Sequence, residues 1–230
     1  ACTYAFGRGV NTLGNVVGYI TAYACNDHEP FLTSQGTTIL LQTLGGRNSD
    51  AMDINDNNVI VGQSQTPDGK YRAVSWNFSQ ETQQWAITRL PTPLNTASYA
   101  LALNNNGDMV GYYIMSNGRA SACIWRDGVF YDLAAVSQSP GFRPTIATDI
   151  NNLGQISAQG FTPTSQLRAL LLNPFCIGDF NADGGVDGRD VGEFFEVWQT
   201  GADLADTNLD GSVDGQDVQR FFERWEVGEC

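Results

Sequence analysis

Lysine is nearly missing: Lys70 is the only one in 230 residues, and twelve Lys and Arg together face twenty-five Asp and Glu. Nucleic-acid binding needs stripes of basic side chains against phosphate, so that role is excluded, and an anionic membrane surface is repelled for the same reason. Histidine occurs once, at His28, and no Cys-x-x-Cys pair exists, which leaves a zinc site without ligands. No stretch approaches about 18 consecutive apolar residues, so nothing reads as a membrane span. The weakly hydrophobic runs that mark disorder are also missing, and an apolar content of 42% can bury a core. The start at Ala1, without a basic apolar leader, is what signal cleavage would leave, and an extracellular protein is expected.

The net charge of −13 is lopsided. Residues 176–230 hold fourteen Asp and Glu against three Arg, leaving only −2 for the first 175 residues. Acidity therefore belongs to a C-terminal module. Of the five cysteines, Cys176 and Cys230 bracket that module and would staple its ends, while Cys2 and Cys25 could close a loop in the first repeat. Two bridges would agree with an oxidising compartment. Cys123 sits in an apolar strand pattern and is expected to be a buried free thiol.

The first 173 residues repeat. Four segments share a small or acidic residue, an apolar residue, Asn, a turn, then an apolar pair ending in a small residue: Gly9-Val10-Asn11 to Gly18, Asp53-Ile54-Asn55 to Gly62, Ala102-Leu103-Asn104 to Gly111, and Asp149-Ile150-Asn151 to Ala158. The Asn residues recur at spacings of 44, 49 and 47. A second apolar run follows in each repeat (Pro30-Phe31-Leu32, Ala73 to Trp76, Ala122 to Trp125, Ala169 to Leu172), and a third in the first three only. Short β-branched and aromatic runs between Asn/Gly/Asp turns predict antiparallel hairpins. Three or four strands per unit at this period predict propeller-like blades, so the fold class is mainly β, with a small all-α module after it.

The Asn-x-x-Gly-x-Val-Val-Gly-like segments with the Ala-x-x-Trp strands resemble the HAF family of extracellular repeats. The resemblance covers about residues 3–173 and implies secretion and a β-propeller-like fold, with no defined reaction. Asn58 stands where the turn Gly is expected, and Ala158 replaces the last Gly. The fourth repeat stops at Asn173-Pro174, a turn-favouring dipeptide, so the domains are set at 1–173 and 174–230. Lacking the third run, its sheet should keep an unpaired edge, to be closed by the N-terminal residues or by another chain.

Two twelve-residue loops dominate the acidic module. The first places Asp179, Asn181, Asp183, Gly185, Asp187 and Asp190 at positions 1, 3, 5, 7, 9 and 12; the second, 27 residues on, places Asp206, Asn208, Asp210, Ser212, Asp214 and Asp217 there. Oxygen donors at those positions, with Gly at position 6, form the hard-cation layout that calcium requires, so two calcium ions are expected. Gly185 and Ser212 would contribute backbone carbonyls. Position 12 is Asp, one methylene shorter than the usual Glu. Four carboxylates per loop should not crowd together without a cation, which couples ion binding to folding. Each loop precedes a helical stripe: Val191, Phe194, Phe195 and Trp198, then Val218, Phe221, Phe222 and Trp225, expected to pack about a pseudo-twofold axis.

Paired loops with Asp at position 12, each followed by a helix, resemble a dockerin, the calcium-dependent docking module of secreted multi-enzyme assemblies. The resemblance implies a cohesin-like protein partner bound through loop positions 10 and 11. Those positions are Gly188-Arg189 and Gly215-Gln216 here, where many dockerins carry Ser or Thr, so the partner is expected to differ.

Catalysis has little to stand on. His28 lies in a loop-like polar run, and Asp50, Asp53 and Asp149 lie in or beside the repeat motif, where turn roles are expected. Trp76 and Trp125 could stack on sugars, although recurrence on a strand points first to the core. Asn77-Phe78-Ser79 is a formal glycosylation sequon. The leading expectation is a calcium-binding assembly or adhesion protein, a subunit of an extracellular filament or matrix. The alternative is a carbohydrate- or ligand-binding β domain tethered through the module, with an enzyme third.

Overall fold

Each repeat folds as one antiparallel sheet. The structure is a computed structural model that describes residues 3–22, 27–93, 96–136, 141–173, 178–181, 185–202, 205–207 and 211–226. Cys2, Cys25, Cys176 and Cys230, and with them both expected disulfides, lie outside the described residues, as do Pro174, Asp183, Asn208 and Asp210. The chain divides into two compact units, Ala1–Leu172 and Asn173–Cys230.

In the first unit, β1 (Thr3–Val10), β2 (Val16–Ala22), β3 (His28–Ser34) and β4 (Thr37–Leu40) form the first sheet in that order. The second follows with β5 (Ser49–Ile54), β6 (Ile60–Gln65), β7 (Tyr71–Ser79) and β8 (Gln84–Arg89). The third is β9 (Ser98–Leu103), β10 (Met109–Ile114), β11 (Ala120–Arg126) and β12 (Val129–Asp132), and a single-turn helix α1 (Leu133–Val136) comes next. The fourth has three strands, β13 (Arg143–Ile150), β14 (Ile156–Phe161) and β15 (Leu167–Leu172). Among the described residues this sheet has no fourth strand, at the place of the third apolar run that the fourth repeat lacks. The N-terminal strand does not supply it among the described residues, because β1 is the outer strand of the first sheet and pairs only with β2.

Strand alternation sends one set of side chains to each face, and both faces of the inner sheets are apolar. The sheets therefore stack in chain order. Val17 and Leu32 of the first pack with Ile54, Ile60, Val74 and Trp76 of the second. Val61 and Ala73 of the second meet Leu103, Cys123 and Trp125 of the third, and Val110 and Ile124 of the third meet Ile150 and Ile156 of the fourth. Trp76 and Trp125 are buried, with their indole N–H groups donating to Gln42 O (2.8 Å) and Pro91 O (2.6 Å). Cys123 is buried and free, and burial pushes its thiol pKa up.

The small residue closing each motif has a steric cause. A Cβ on Gly62 would lie 2.0 Å from Asp50 O, beside the register shift between Ala51 and Asp53. Gly18 and Gly111 are as tightly approached, by Phe6 O and Tyr99 O. Ala158 stands at this place in the fourth sheet, where β13 carries two register irregularities instead of one. His28 corrects the loop reading: it opens β3, and its ring stacks on Tyr19 at 4.2 Å.

The second unit carries α2 (Gly188–Gln199) and α3 (Gly215–Trp225). The rings of Phe194 and Phe221, both fully buried, stack at 4.2 Å and 2°. Phe180 meets both edge-on, at 5.4 and 6.1 Å. Equivalent residues thus touch each other at the centre of a quasi-symmetric pair, while Val191, Phe195, Trp198, Val218, Phe222 and Trp225 pack around them. Among the described residues, no helix is long and apolar enough to cross a membrane.

Candidate functional site

The two acidic loops are built alike. Asp190, at position 12 of the first, is wholly buried, and its carboxylate accepts from Asn181 N (3.1 Å) and Asp187 N (2.7 Å). Asp217 in the second is equally buried and accepts from Asp214 N at 2.8 Å. Asp187 and Asp214 in turn accept from Arg189 N and Gln216 N, both at 2.8 Å. Positions 9 and 12 of each loop are therefore the N-cap and N3 residues of a reciprocal capping box. The Asp-x-x-Asp spacing was the sequence signal for this cap.

In the second loop Gly211, at position 6, takes the left-handed backbone (φ +88°), and its N–H donates to Asp206 Oδ2 at 2.9 Å. The loops are also tied crosswise. Trp198 of α2 donates its indole N–H to Asp214 O (3.1 Å), and Trp225 of α3 does the same to Asp187 O (2.9 Å). Each tryptophan reaches the N-cap carbonyl of the opposite helix.

Tested for calcium, the donor set fits. It is oxygen only, and Asp179, Asp190 and Asp217 are carboxylates already taken out of water. The residues to hold the ions would be Asp179, Asn181, Gly185, Asp187 and Asp190, then Asp206, Ser212, Asp214 and Asp217, together with Asp183, Asn208 and Asp210. Among the described residues, no three His, Cys, Asp or Glu side chains gather in one cluster. Asp183 and Asp210, the position-5 carboxylates, are not among them.

A second feature was not foreseen from the sequence. The repeat asparagines form a ladder across the sheets. In each repeat the Asn side-chain oxygen accepts two backbone N–H groups of its own turn, as Asn55 does from Asn57 N (3.1 Å) and Val59 N (2.9 Å). Its amide then reaches the next repeat: Asn11 Nδ2 donates to Asn55 O (3.1 Å), Asn55 Nδ2 to Asn104 O (2.9 Å), and Asn104 Nδ2 to Asn151 O (3.1 Å). A second row runs beside it, with Thr12 N donating to Asp56 Oδ1, Asp56 N to Asn105 Oδ1 and Asn105 N to Asn152 Oδ1, at 2.8–3.0 Å. The fourth turn position is left-handed in every repeat, and Asn58 (φ +59°) takes it as Gly14, Gly107 and Gly154 do.

Aspartates reinforce these joints. Asp53 accepts from Ile54 N (2.8 Å) and, across the joint, from Leu103 N (3.1 Å). Burial raises its carboxyl pKa against the lowering effect of those two bonds, and the charge of Asp149 adds to the rise. Asp50 engages His28 Nδ1 (2.7 Å) and Gln63 Nε2 (2.6 Å), a structural role. Within the third sheet, Asp108 binds Arg126 through two bonds, of 2.6 and 2.8 Å, and that pairing raises the guanidinium pKa.

A cleft of about 510 Å³ opens between the first two sheets. Asn57, Asn58, Asn77 and Gln80 line it beside Phe78 and Trp85, with no charged residue. The two rings meet edge to face at 5.7 Å.

No family model matches the chain. A search of curated proteins found no similar one either.

Proposed function

We propose that this is a secreted calcium-binding assembly protein whose C-terminal unit is a dockerin-like docking module. The observation carrying this reading is the duplicated cap, in which buried Asp190 and Asp217 close two equivalent loops joined by the Trp198 and Trp225 crosslinks. Calcium bound in both loops would offset the carboxylate charge and set the presented face of α2 and α3. Gly188-Arg189 and Gly215-Gln216 begin those helices, so the docking partner, self or cohesin-like, meets small and polar groups there. The stacked sheets form an open, propeller-like arc, and the outer edge of β15 offers backbone groups for strand addition. Sedimentation velocity with calcium and then with chelator tests this. Assemblies that shrink on chelation support it, and a size distribution that calcium and chelator leave unchanged contradicts it.

A second reading rests on the cleft between the first two sheets. Amide donors and acceptors beside the exposed Phe78 ring and the half-buried Trp85 ring suit the hydroxyls and C–H faces of a neutral carbohydrate. A glycan array read with wild type and Trp85→Ala decides this, since it requires hits that the variant loses. Neither reading invokes catalysis.

A further inference from the structure

The asparagine ladder stops at both ends with groups that match one another. The carbonyls of Asn55, Asn104 and Asn151 each accept two bonds, one from their own turn and one from the preceding repeat. Asn11 O, in the first repeat, accepts the turn bond from Gly14 N alone among the described residues. At the far end, Asn151 Nδ2 donates to Gln155 Oε1 at 2.9 Å. Asn104 makes the same bond to Asp108 Oδ2 with one amide hydrogen and uses the other to reach the next repeat. Among the described residues the other amide hydrogen of Asn151 has no such acceptor, and the second row likewise ends at Asn152. One end of the arc therefore offers an acceptor, and the other a donor, at the same rung.

The apolar faces follow the same rule. The residue before the Asn is buried against the preceding sheet in three repeats: Ile54 is 4% exposed, Leu103 6% and Ile150 5%, whereas Val10 is 65% exposed. On the opposite face, the residue paired with the second strand is buried against the following sheet. Leu32 is 4% exposed, Ser75 3% and Ile124 7%, whereas Leu171 is 65% exposed. Leu40 on the first sheet and Leu167 on the fourth extend these open patches. Each terminal face thus presents what the three internal joints consume, one from each side.

We infer that the fourth sheet of one molecule packs on the first sheet of a second copy, continuing the ladder from Asn151 Nδ2 to the partner copy's backbone at the Asn11 rung. The occupant is a second copy because both halves of the joint belong to one chain and reproduce its three internal joints in polarity and position. The contact is heterologous, so it propagates head to tail or closes a ring. This deepens the assembly reading by naming the partner, and it uses no calcium ligand.

Sedimentation velocity on the full chain tests it, with calcium and with chelator. Wild type should associate in a concentration-dependent way that survives chelation, which separates this joint from the calcium module. Val10→Asp and Leu171→Asp should each weaken self-association at least thirtyfold, as loss of about 2 kcal/mol at a joint implies. Each variant keeps one intact end. Mixed in equal amounts they should form a dimer that grows no further, an outcome that a misfolded variant could not give. A wild type that stays monomeric at several hundred micromolar overturns the inference, as does a mixture that stays monomeric.

Discussion

Asn55 is the rung at which the ladder can be tested in isolation. It is buried, its oxygen holds two backbone N–H groups, and its amide donates across the joint to Asn104 O. In Asn55→Asp the carboxylate still serves the turn but faces Asn104 O with no hydrogen to give. Asn104 O keeps the bond from Gly107 N but loses the one across the joint, and the buried carboxylate that faces it is an uncompensated charge, so a loss of about 3 kcal/mol is expected at pH 7. Asn151→Asp makes the same chemical change at the exposed open end, where water replaces the lost bonds, and should cost about 1 kcal/mol or less. Urea unfolding followed by far-ultraviolet circular dichroism measures both. A protonated carboxyl can donate, so folding raises the pKa of the carboxyl introduced by Asn55→Asp, and the deficit of that variant should shrink as the pH falls toward 4. Equal losses in the two variants would refute the ladder, reducing each Asn to a turn residue.

Other outcomes follow from the same geometry. The Asp53 carboxyl titrates above its ordinary value of 3.8 in the folded protein because of burial. Its contribution favours folding at low pH and is lost as pH rises through the raised pKa. The melting temperature of Asp53→Asn relative to wild type should therefore improve from pH 4 to pH 7, and a pH-independent difference would contradict this. Trp198→Phe and Trp225→Phe keep a ring but drop the bonds to Asp214 O and Asp187 O; each should lower the stability of the C-terminal unit by about 1 kcal/mol, read by thermal melts. If neither melt moves, the crosswise ties hold nothing. Cys123 should resist thiol reagents in the native state and react once the first unit unfolds, and rapid native labelling would place it elsewhere.

Much of this structure was legible in the residues. Short β-branched and aromatic runs, separated by Asn/Gly/Asp turns, marked the strands, and the missing third run foretold the three strands described for the fourth sheet. The stripes at Val191 and Val218 gave both helices. What stayed hidden depended on neighbours far apart in the chain. The asparagines read as turn formers, since only stacking of the sheets brings Asn55 Nδ2 to a carbonyl 49 residues away. His28 read as loop because its polar neighbours hid a strand start, which Asp50 and Tyr19 hold in place. In the acidic loops, the expected cation ligation overshadowed what Asp187, Asp190, Asp214 and Asp217 do for their helices, which they cap through backbone bonds.

Calorimetric titration of the full chain with calcium is the most direct measurement of the proposed role, because it separates ligation by these carboxylates from capping alone. Two ions should bind per chain, and Asp183→Ala should remove one of them while leaving the other loop titratable. A chain that takes up no calcium, with both helices already fully formed, would show that these carboxylates serve only as caps and would contradict the calcium-dependent reading.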